Sequence, residues 1–196
     1  MKKLYLDIET IPVSEEFHND LRLLHDKKKK NEDFEQFLRQ TAFDGSFGII
    51  VCIGYAIDDG EANVLHNKEE KIMLKEFWEI AKDANLFIGH NIMDFDLRFI
   101  YQRSVINDVK PTRDLSFARY RNYPIYDTMK EWVKWSLNSL SLGHLALAMG
   151  IPTPKDEIDG SQVYEFYKKG ELPKILAYCK KDVETTRAVY KKMTFA

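Results

Sequence analysis

Cysteine is scarce in this sequence: there are two, Cys52 and Cys179, in a chain of 196 residues. Both lie in apolar surroundings, with no second pair to build a disulfide framework or a thiolate metal site, so they read as reduced core residues. Long apolar runs are missing as well, and nothing approaches the ~20 consecutive residues that a membrane span requires. Met1-Lys2-Lys3 passes directly into a mixed strand, without the apolar stretch and small-residue cleavage site of a secretory signal, which sets the expectation of a cytoplasmic protein. Nor is there an excess of charge of either sign: 29 basic against 31 acidic residues leave a net charge of -2. Such a balance supplies no global attraction for a polyanion, so a nucleic-acid partner would have to meet local positive potential or bound cations. What is present, 44% hydrophobic and 31% charged residues, is the composition of a globular chain. Its length fits a single compact α/β domain over residues 1–196.

The chain is organised around Leu4-Tyr5-Leu6-Asp7-Ile8-Glu9-Thr10, an apolar strand that carries two carboxylates. Alternation along a strand puts Leu4, Leu6 and Ile8 on one face and Tyr5, Asp7 and Glu9 on the other. Two like charges side by side on a stiff element repel each other and are costly to desolvate unless something positive sits between them. A divalent cation with oxygen ligands meets that need. An edge strand with both carboxylates solvated is the other reading of the same seven residues.

Residues 14–41 form a strongly charged segment in which Leu21, Leu24, Phe34, Phe37 and Leu38 recur at roughly helical intervals. They predict two short helices, with Lys27-Lys28-Lys29-Lys30 at the turn either gripping phosphates or simply solvated. Gly48 to Ala56 reads as a buried strand, Asp58-Asp59-Gly60 as a hairpin turn and Ala62 to His66 as the returning strand. The spacing of Ile72, Phe77, Ile80 and Ala81 predicts an amphipathic helix from Lys68, followed by a short buried strand at Leu86-Phe87-Ile88-Gly89. The next stretch, from His90 to Ile100, passes from strand end to helix, with Asp96 in the first helical turn and Asp94 placed to cap it. Between Pro111 and Pro124, Arg113, Arg119 and Arg121 alternate with Phe117, Tyr120 and Tyr123. That pattern suits either single-stranded nucleic acid or a self-stabilised surface loop. Helices are expected over Tyr126 to Trp135, Leu140 to Met149 and Ser161 to Lys168, the last capped by Ser161, with a loop from Pro154 to Gly160. A final helix runs from Leu172 to about Lys192, with Leu172, Leu176, Cys179, Val183, Thr186 and Tyr190 as its buried stripe.

On that last helix Tyr178 and Asp182 are one turn apart and share a flank. Three segments, Leu6-Asp7-Ile8-Glu9-Thr10, Gly89-His90-Asn91-Ile92-Met93-Asp94-Phe95-Asp96 and Tyr178-Cys179-Lys180-Lys181-Asp182-Val183, resemble in order the three exonuclease motifs of the DEDD superfamily of DnaQ-like proteins with a ribonuclease H-like fold. They are most similar to the DEDDy branch, in particular to the proofreading 3′-5′ exonuclease domain of B-family DNA polymerases. The sister branch has His five residues before its last Asp, and Ala177 stands there in this sequence.

The resemblance implies a mixed sheet, three antiparallel strands followed by parallel ones, flanked by helices. It implies Asp7, Glu9, Asp96 and Asp182 as acidic ligands of two divalent cations, Mg²⁺ or Mn²⁺, with Asp7 bridging them and Tyr178 orienting the attacking water. Thr10 and Ile11 match the place where relatives hold or wedge the terminal nucleotide, with a core role for Ile11 as the alternative. Asn91 belongs to the second motif and is a candidate substrate contact. Asp127, in Tyr126-Asp127-Thr128, either lines the cleft or caps a helix. The activity implied is release of nucleoside 5′-monophosphates from the 3′ end of single-stranded or frayed DNA, in proofreading or DNA repair alongside a polymerase or repair complex. An RNA-trimming 3′-5′ exoribonuclease and a non-catalytic nucleic-acid-binding module on the same fold are the alternatives. The charged segment at 14–41 has no counterpart in the polymerase pattern.

Overall fold

The computed structural model describes residues 1–28, 33–152 and 160–196. Lys29 and Lys30, which end the expected basic turn, and nearly all of the expected loop from Pro154 lie outside the described residues. The strands are β1 (Lys3–Ile11), β2 (Ile49–Ile57), β3 (Asn63–Leu65), β4 (Leu86–Gly89) and β5 (Ile125–Asp127). The helices are α1 (His18–Lys28), α2 (Phe34–Gln40), α3 (Glu70–Ala81), α4 (Asp96–Ile106), α5 (Thr128–Val133), α6 (Leu142–Ala148), α7 (Val163–Lys168) and α8 (Leu172–Thr194). The sheet order is β3-β2-β1-β4-β5, antiparallel from β1 to β3 and parallel from β1 to β5. The expected mixed sheet is therefore present. The edge reading of β1 is ruled out, because β1 sits in the middle with partners on both sides.

The alternation along β1 builds the layers. Leu4, Leu6 and Ile8 pack against Met73, Leu74 and Phe77 of α3 and Leu97, Phe99 and Ile100 of α4. Tyr5, on the opposite face, meets Val183 and Tyr190 of α8. Asp7 and Glu9 share Tyr5's side of the strand and so look toward α8. Behind the other face, the Arg103 guanidinium forks onto Glu70 at 2.7–3.0 Å, and Glu70 also accepts from Ile50 N and Asn107 Nδ2 at 2.9 Å. This partly buried, satisfied network ties α3, α4 and β2 together.

α8 lies flat on the sheet because β2 offers it a glycine. Gly54 stands opposite Asp7 in the antiparallel register, and a Cβ there would come within 2.8 Å of Cys179 Sγ, 2.9 Å of Val183 Cγ2 and 3.1 Å of Cys179 O. The last of these is backbone, so the helix itself would have to lift. Gly54→Val should cost about 1–3 kcal/mol, the scale of overpacking. It should also lower any nuclease activity by displacing Tyr178 and Asp182 from Asp7, checked by thermal denaturation beside a nuclease assay.

Several boundaries differ from expectation. Tyr126 belongs to a strand, since Phe87, Ile88 and Gly89 of β4 pair with Ile125, Tyr126 and Asp127; helix α5 starts only at Thr128 and ends before Trp135. The buried stripe of α3 is Met73, Leu74, Phe77, Trp78 and Ala81. Ile72 is exposed, because it stands five residues from Phe77, outside the three-or-four spacing of one helix face. On α8, Ile175 rather than Leu176 is fully buried. Gly160–Gln162 forms a 3-10 turn, which makes Gln162, not Ser161, the residue before α7. Asp94 does not cap α4. Phe95 precedes that helix, and the Asp94 carboxylate pairs with Lys130 at 2.6 Å and Arg98 at 3.7 Å. The charged segment does form α1 and α2, with Leu21, Phe34 and Leu38 buried and Leu24 exposed. No described helix is long and apolar enough to cross a membrane.

Candidate active site

Four carboxylates from three distant parts of the chain act on one another. Asp7 and Glu9 come from the central strand, Asp96 from the first turn of α4, and Asp182 from the middle of α8. Glu9 and Asp96 are buried. Asp7 is half-buried as a residue, but its Oδ2 is sealed from solvent and has no hydrogen-bond partner. One Asp96 oxygen accepts from Ile8 N at 3.0 Å, which locks α4 onto β1 between the two strand carboxylates.

Burial pushes all three of these acids up, and the neighbouring acids push them further. Asp7 is raised well above the carboxylate range by desolvation and then by Glu9, Asp96 and Asp182. Glu9 is raised by desolvation, by Cys52 across the strand pair, and by Asp182 and Asp96. Asp96 is pushed up to about 7 by desolvation, with its backbone hydrogen bonds opposing and Asp127 and Asp182 adding to the rise. The neighbours acting most strongly on these acids are other acids and a thiol; no lysine or arginine is among them. An unpartnered buried carboxylate oxygen amid like charges fits a hard divalent cation, whose ligands are oxygens and whose charge would reverse every one of those shifts.

Cys179 also lies here, its sulfur within 4.8 Å of ligand-capable atoms of Asp7 and Glu9. Its thiol donates to Asp7 O at 3.6 Å. The hydrogen bond to Cys52 and burial hold its pKa well above the usual thiol value, so it remains protonated. The two cysteines are free, buried core residues, as expected, and in the fold they are neighbours.

Tyr178 lies one turn before Asp182 on α8. Its phenol is raised far above the ordinary value by burial, by the negative charge of Asp182 and Glu9, and by a hydrogen bond to Asp182, so it stays protonated at any physiological pH. Asp127 is stitched into the base of the site. Its Oδ1 accepts from Asn91, Met129 and Lys130 backbone N–H groups at 3.0–3.1 Å and its Oδ2 from Met93 N at 3.1 Å. It therefore caps α5 and fixes the turn that delivers Asp96. Asn91 adopts a left-handed conformation in that turn, φ 61°.

Above the carboxylates opens a cleft of about 530 Å³. Asp7, Glu9, Thr10, Tyr178 and Asp182 line it; Asp96, Asn91 and Ile11 do not. The Thr10 hydroxyl donates to Ala42 O at 2.7 Å, which leaves it only acceptor capacity toward a ligand. Ile11 is buried against Val51, Cys52 and Ile175, its alternative core role, and Pro12 takes the place on the rim. Sequence reasoning missed the opposite wall: Gln36, Arg39 and Gln40 of α2, Phe43, Phe95, and Tyr164 of α7. The one signal for the α2 residues is the charged 14–41 segment itself, in which no periodicity marks the end of α2 as a wall. Arg39 is ion-paired to Glu165 at 2.9 Å and faces the Tyr164 ring.

Comparison with known proteins bears on the fold and the family. The chain is similar to a family B DNA polymerase from the hyperthermophilic archaeon Pyrobaculum calidifontis, with a TM-score of 0.67 over 99% of this chain at 15% identity. It spans only 24% of that polymerase, so the likeness is one of fold. An uncharacterized protein of Methanocaldococcus jannaschii is 27% identical over 155 residues, covering 72% of this chain and 84% of that protein. The family described as predicted 3′-5′ exonucleases related to the exonuclease domain of PolB matches residues 49–196, which include Asp96, Tyr178 and Asp182 but not β1. The chain belongs to this family of predicted PolB-like 3′-5′ exonucleases.

Proposed function

We propose that this protein is a metal-dependent 3′-5′ exonuclease that releases nucleoside 5′-monophosphates from single-stranded or frayed DNA. The observation that carries the reading is the convergence of four carboxylates, with Asp7, Glu9 and Asp182 lining an open cleft, Asp96 buried beside them, and Asp7 Oδ2 buried and unpartnered. These four residues would hold two divalent cations, Mg²⁺ or Mn²⁺. When bound, such a pair supplies an activated water and stabilises the departing 3′ oxygen.

The rest is the work of the chain. Tyr178, protonated and bonded to Asp182, positions rather than abstracts: its phenol offers a fixed polar group at the rim and keeps the α8 carboxylate turned inward. Phe43, Phe95 and Tyr164 offer rings on which terminal bases can stack. Residues 1–196 act as one exonuclease unit, with 14–41 as an insertion that contributes the α2 wall. A polymerase or repair complex is the setting the family suggests.

The test is product analysis of matched 5′-labelled DNA and RNA strands with Mg²⁺, Mn²⁺ or EDTA. The expected result is a metal-dependent ladder shortening from the 3′ end of DNA, with Tyr178→Phe slower by a smaller factor than any ligand loss. A ladder from RNA alone would replace the substrate. Intact strands under every metal condition would leave a nucleic-acid-binding module without catalysis.

A further inference from the structure

The acidic cleft does not end at its own walls. Phe43 and Phe95, whose rings lie 6.3 Å apart, line both it and a shallow hollow of about 150 Å³ bounded by Arg98 and Gln102. Arg98 and Gln102 in turn line a second large cavity, about 450 Å³, walled by Trp78, Tyr101, Arg113 and Phe117. Neighbouring hollows thus share lining side chains, two of them, Arg98 and Gln102, one turn apart on α4.

The far cavity is chemically unlike the first. Arg113 Nε is buried there without a hydrogen-bond partner, and among the described residues Arg113 makes no ion pair. A buried, unpaired guanidinium nitrogen is costly unless something anionic reaches it. Arg98 stands over the Phe117 ring at 5.9 Å, and Tyr101 is half exposed. Asp114 also lines the cavity, whereas Asp94, in the hollow between, is held by Lys130 and Arg98. Guanidinium groups beside exposed rings form the combination that grips a phosphate and stacks a base.

We infer that this cavity receives the single strand upstream of the scissile end, which runs from the acidic cleft across the Phe43–Phe95 step to Arg113 and Tyr101. The inference rests on the exonuclease reading and adds the path of the substrate to it. From Asp96 to Gln102 the helix climbs ~9 Å at 1.5 Å per residue, roughly three nucleotides at the ~3.4 Å rise of a stacked strand. Strands of three nucleotides therefore end short of Arg113, and longer ones reach it.

The experiment compares wild type, Arg113→Ala, Arg113→Lys and Tyr101→Ala on oligo(dT) of three and of twelve nucleotides. It measures initial rates in Mn²⁺, fluorescence anisotropy binding in EDTA over a salt series, and a thermal melt of each variant. The expected result is a loss of about tenfold in kcat/KM and in affinity for the twelve-mer with Arg113→Ala, the scale of a charge-assisted hydrogen bond. The trimer should be unchanged, and Arg113→Lys should recover part of the loss. The slope of log affinity against log salt for the twelve-mer should fall by about 0.7, one phosphate contact on a single strand. Equal behaviour of Arg113→Ala and wild type on the twelve-mer, with wild type hydrolysing it, overturns the strand path and leaves the exonuclease standing. Equal losses on both lengths overturn it too, by showing that Arg113 acts through the fold. Failure of wild type to hydrolyse either length overturns the exonuclease reading and the inference with it.

Discussion

Asp7→Ala is expected to abolish nucleotide release, a loss on the order of a thousandfold or more, the scale at which a preorganised electrostatic element disappears from a site. Asp7 is the ligand candidate most completely committed to the site, with one oxygen sealed from water and given no donor by the fold. A residue kept there for stability would have found a partner, since a buried lone carboxylate is destabilising. The same reasoning gives a second, opposite effect. Asp7→Asn removes the charge, keeps the shape, and should raise the melting temperature of the cation-free protein at pH 8. About 2 kcal/mol of relieved repulsion corresponds to roughly 4–8 °C for a chain of this size. Loss of activity together with gain of stability is the signature of a functional site, and calorimetry in EDTA beside a nuclease assay reads both. Asp182→Ala should share the loss of activity. Retained release in both variants would sink the assignment of these carboxylates.

Much of this was written in the local sequence, and the reason is physical. The alternation of Leu4, Leu6 and Ile8 with Tyr5, Asp7 and Glu9 is a period of two that only a strand can satisfy, and it fixes which carboxylates look toward α8. The four-residue spacing of Tyr178 and Asp182 works the same way on a helix. What the sequence could not carry was pairing across distance. Ile125–Asp127 is too short to signal a strand and becomes one only because β4 offers a parallel partner. The meeting of Cys52 with Cys179 depends on Gly54 letting α8 come close. Asp94 has every local qualification of a helix cap, yet Lys130, thirty-six residues later, takes its carboxylate. The far wall of the cleft, from α2 and α7, was hidden for the same reason: no periodicity announces that Arg39 and Tyr164 will face Asp7.

Stability of the cation-free protein should fall as pH rises from mildly acid to neutral, contrary to the usual behaviour of a protein whose carboxylates are paired. Asp96 carries the clearest case. Its pKa stands at about 7 in the fold against 3.8 as an ordinary Asp, so the folded state holds a proton that the unfolded chain has already released. Between those two values the folded protein binds more protons than the unfolded one, and stability declines with pH. The favourable contribution is fully present below about 3.8 and is lost as pH rises through about 7. A shift of this size is worth on the order of 4 kcal/mol, or roughly 10 °C in melting temperature. Asp7 and Glu9, raised for the same reasons, act in the same direction. Divalent cations should cancel the decline, because they bind the folded state with its carboxylates ionised. Two cations, each at a hundred times its dissociation constant, together stabilise by about 5 kcal/mol, which offsets a decline of this size. Melting curves from pH 5 to 8 in EDTA and in Mn²⁺ should therefore diverge as pH rises, the EDTA series falling and the Mn²⁺ series holding. Asp96→Asn should make the EDTA series shallower while reducing the gain from Mn²⁺. Two superimposed, level series would mean that the four carboxylates neither strain the fold nor gather a cation, and the site would have to be sought elsewhere.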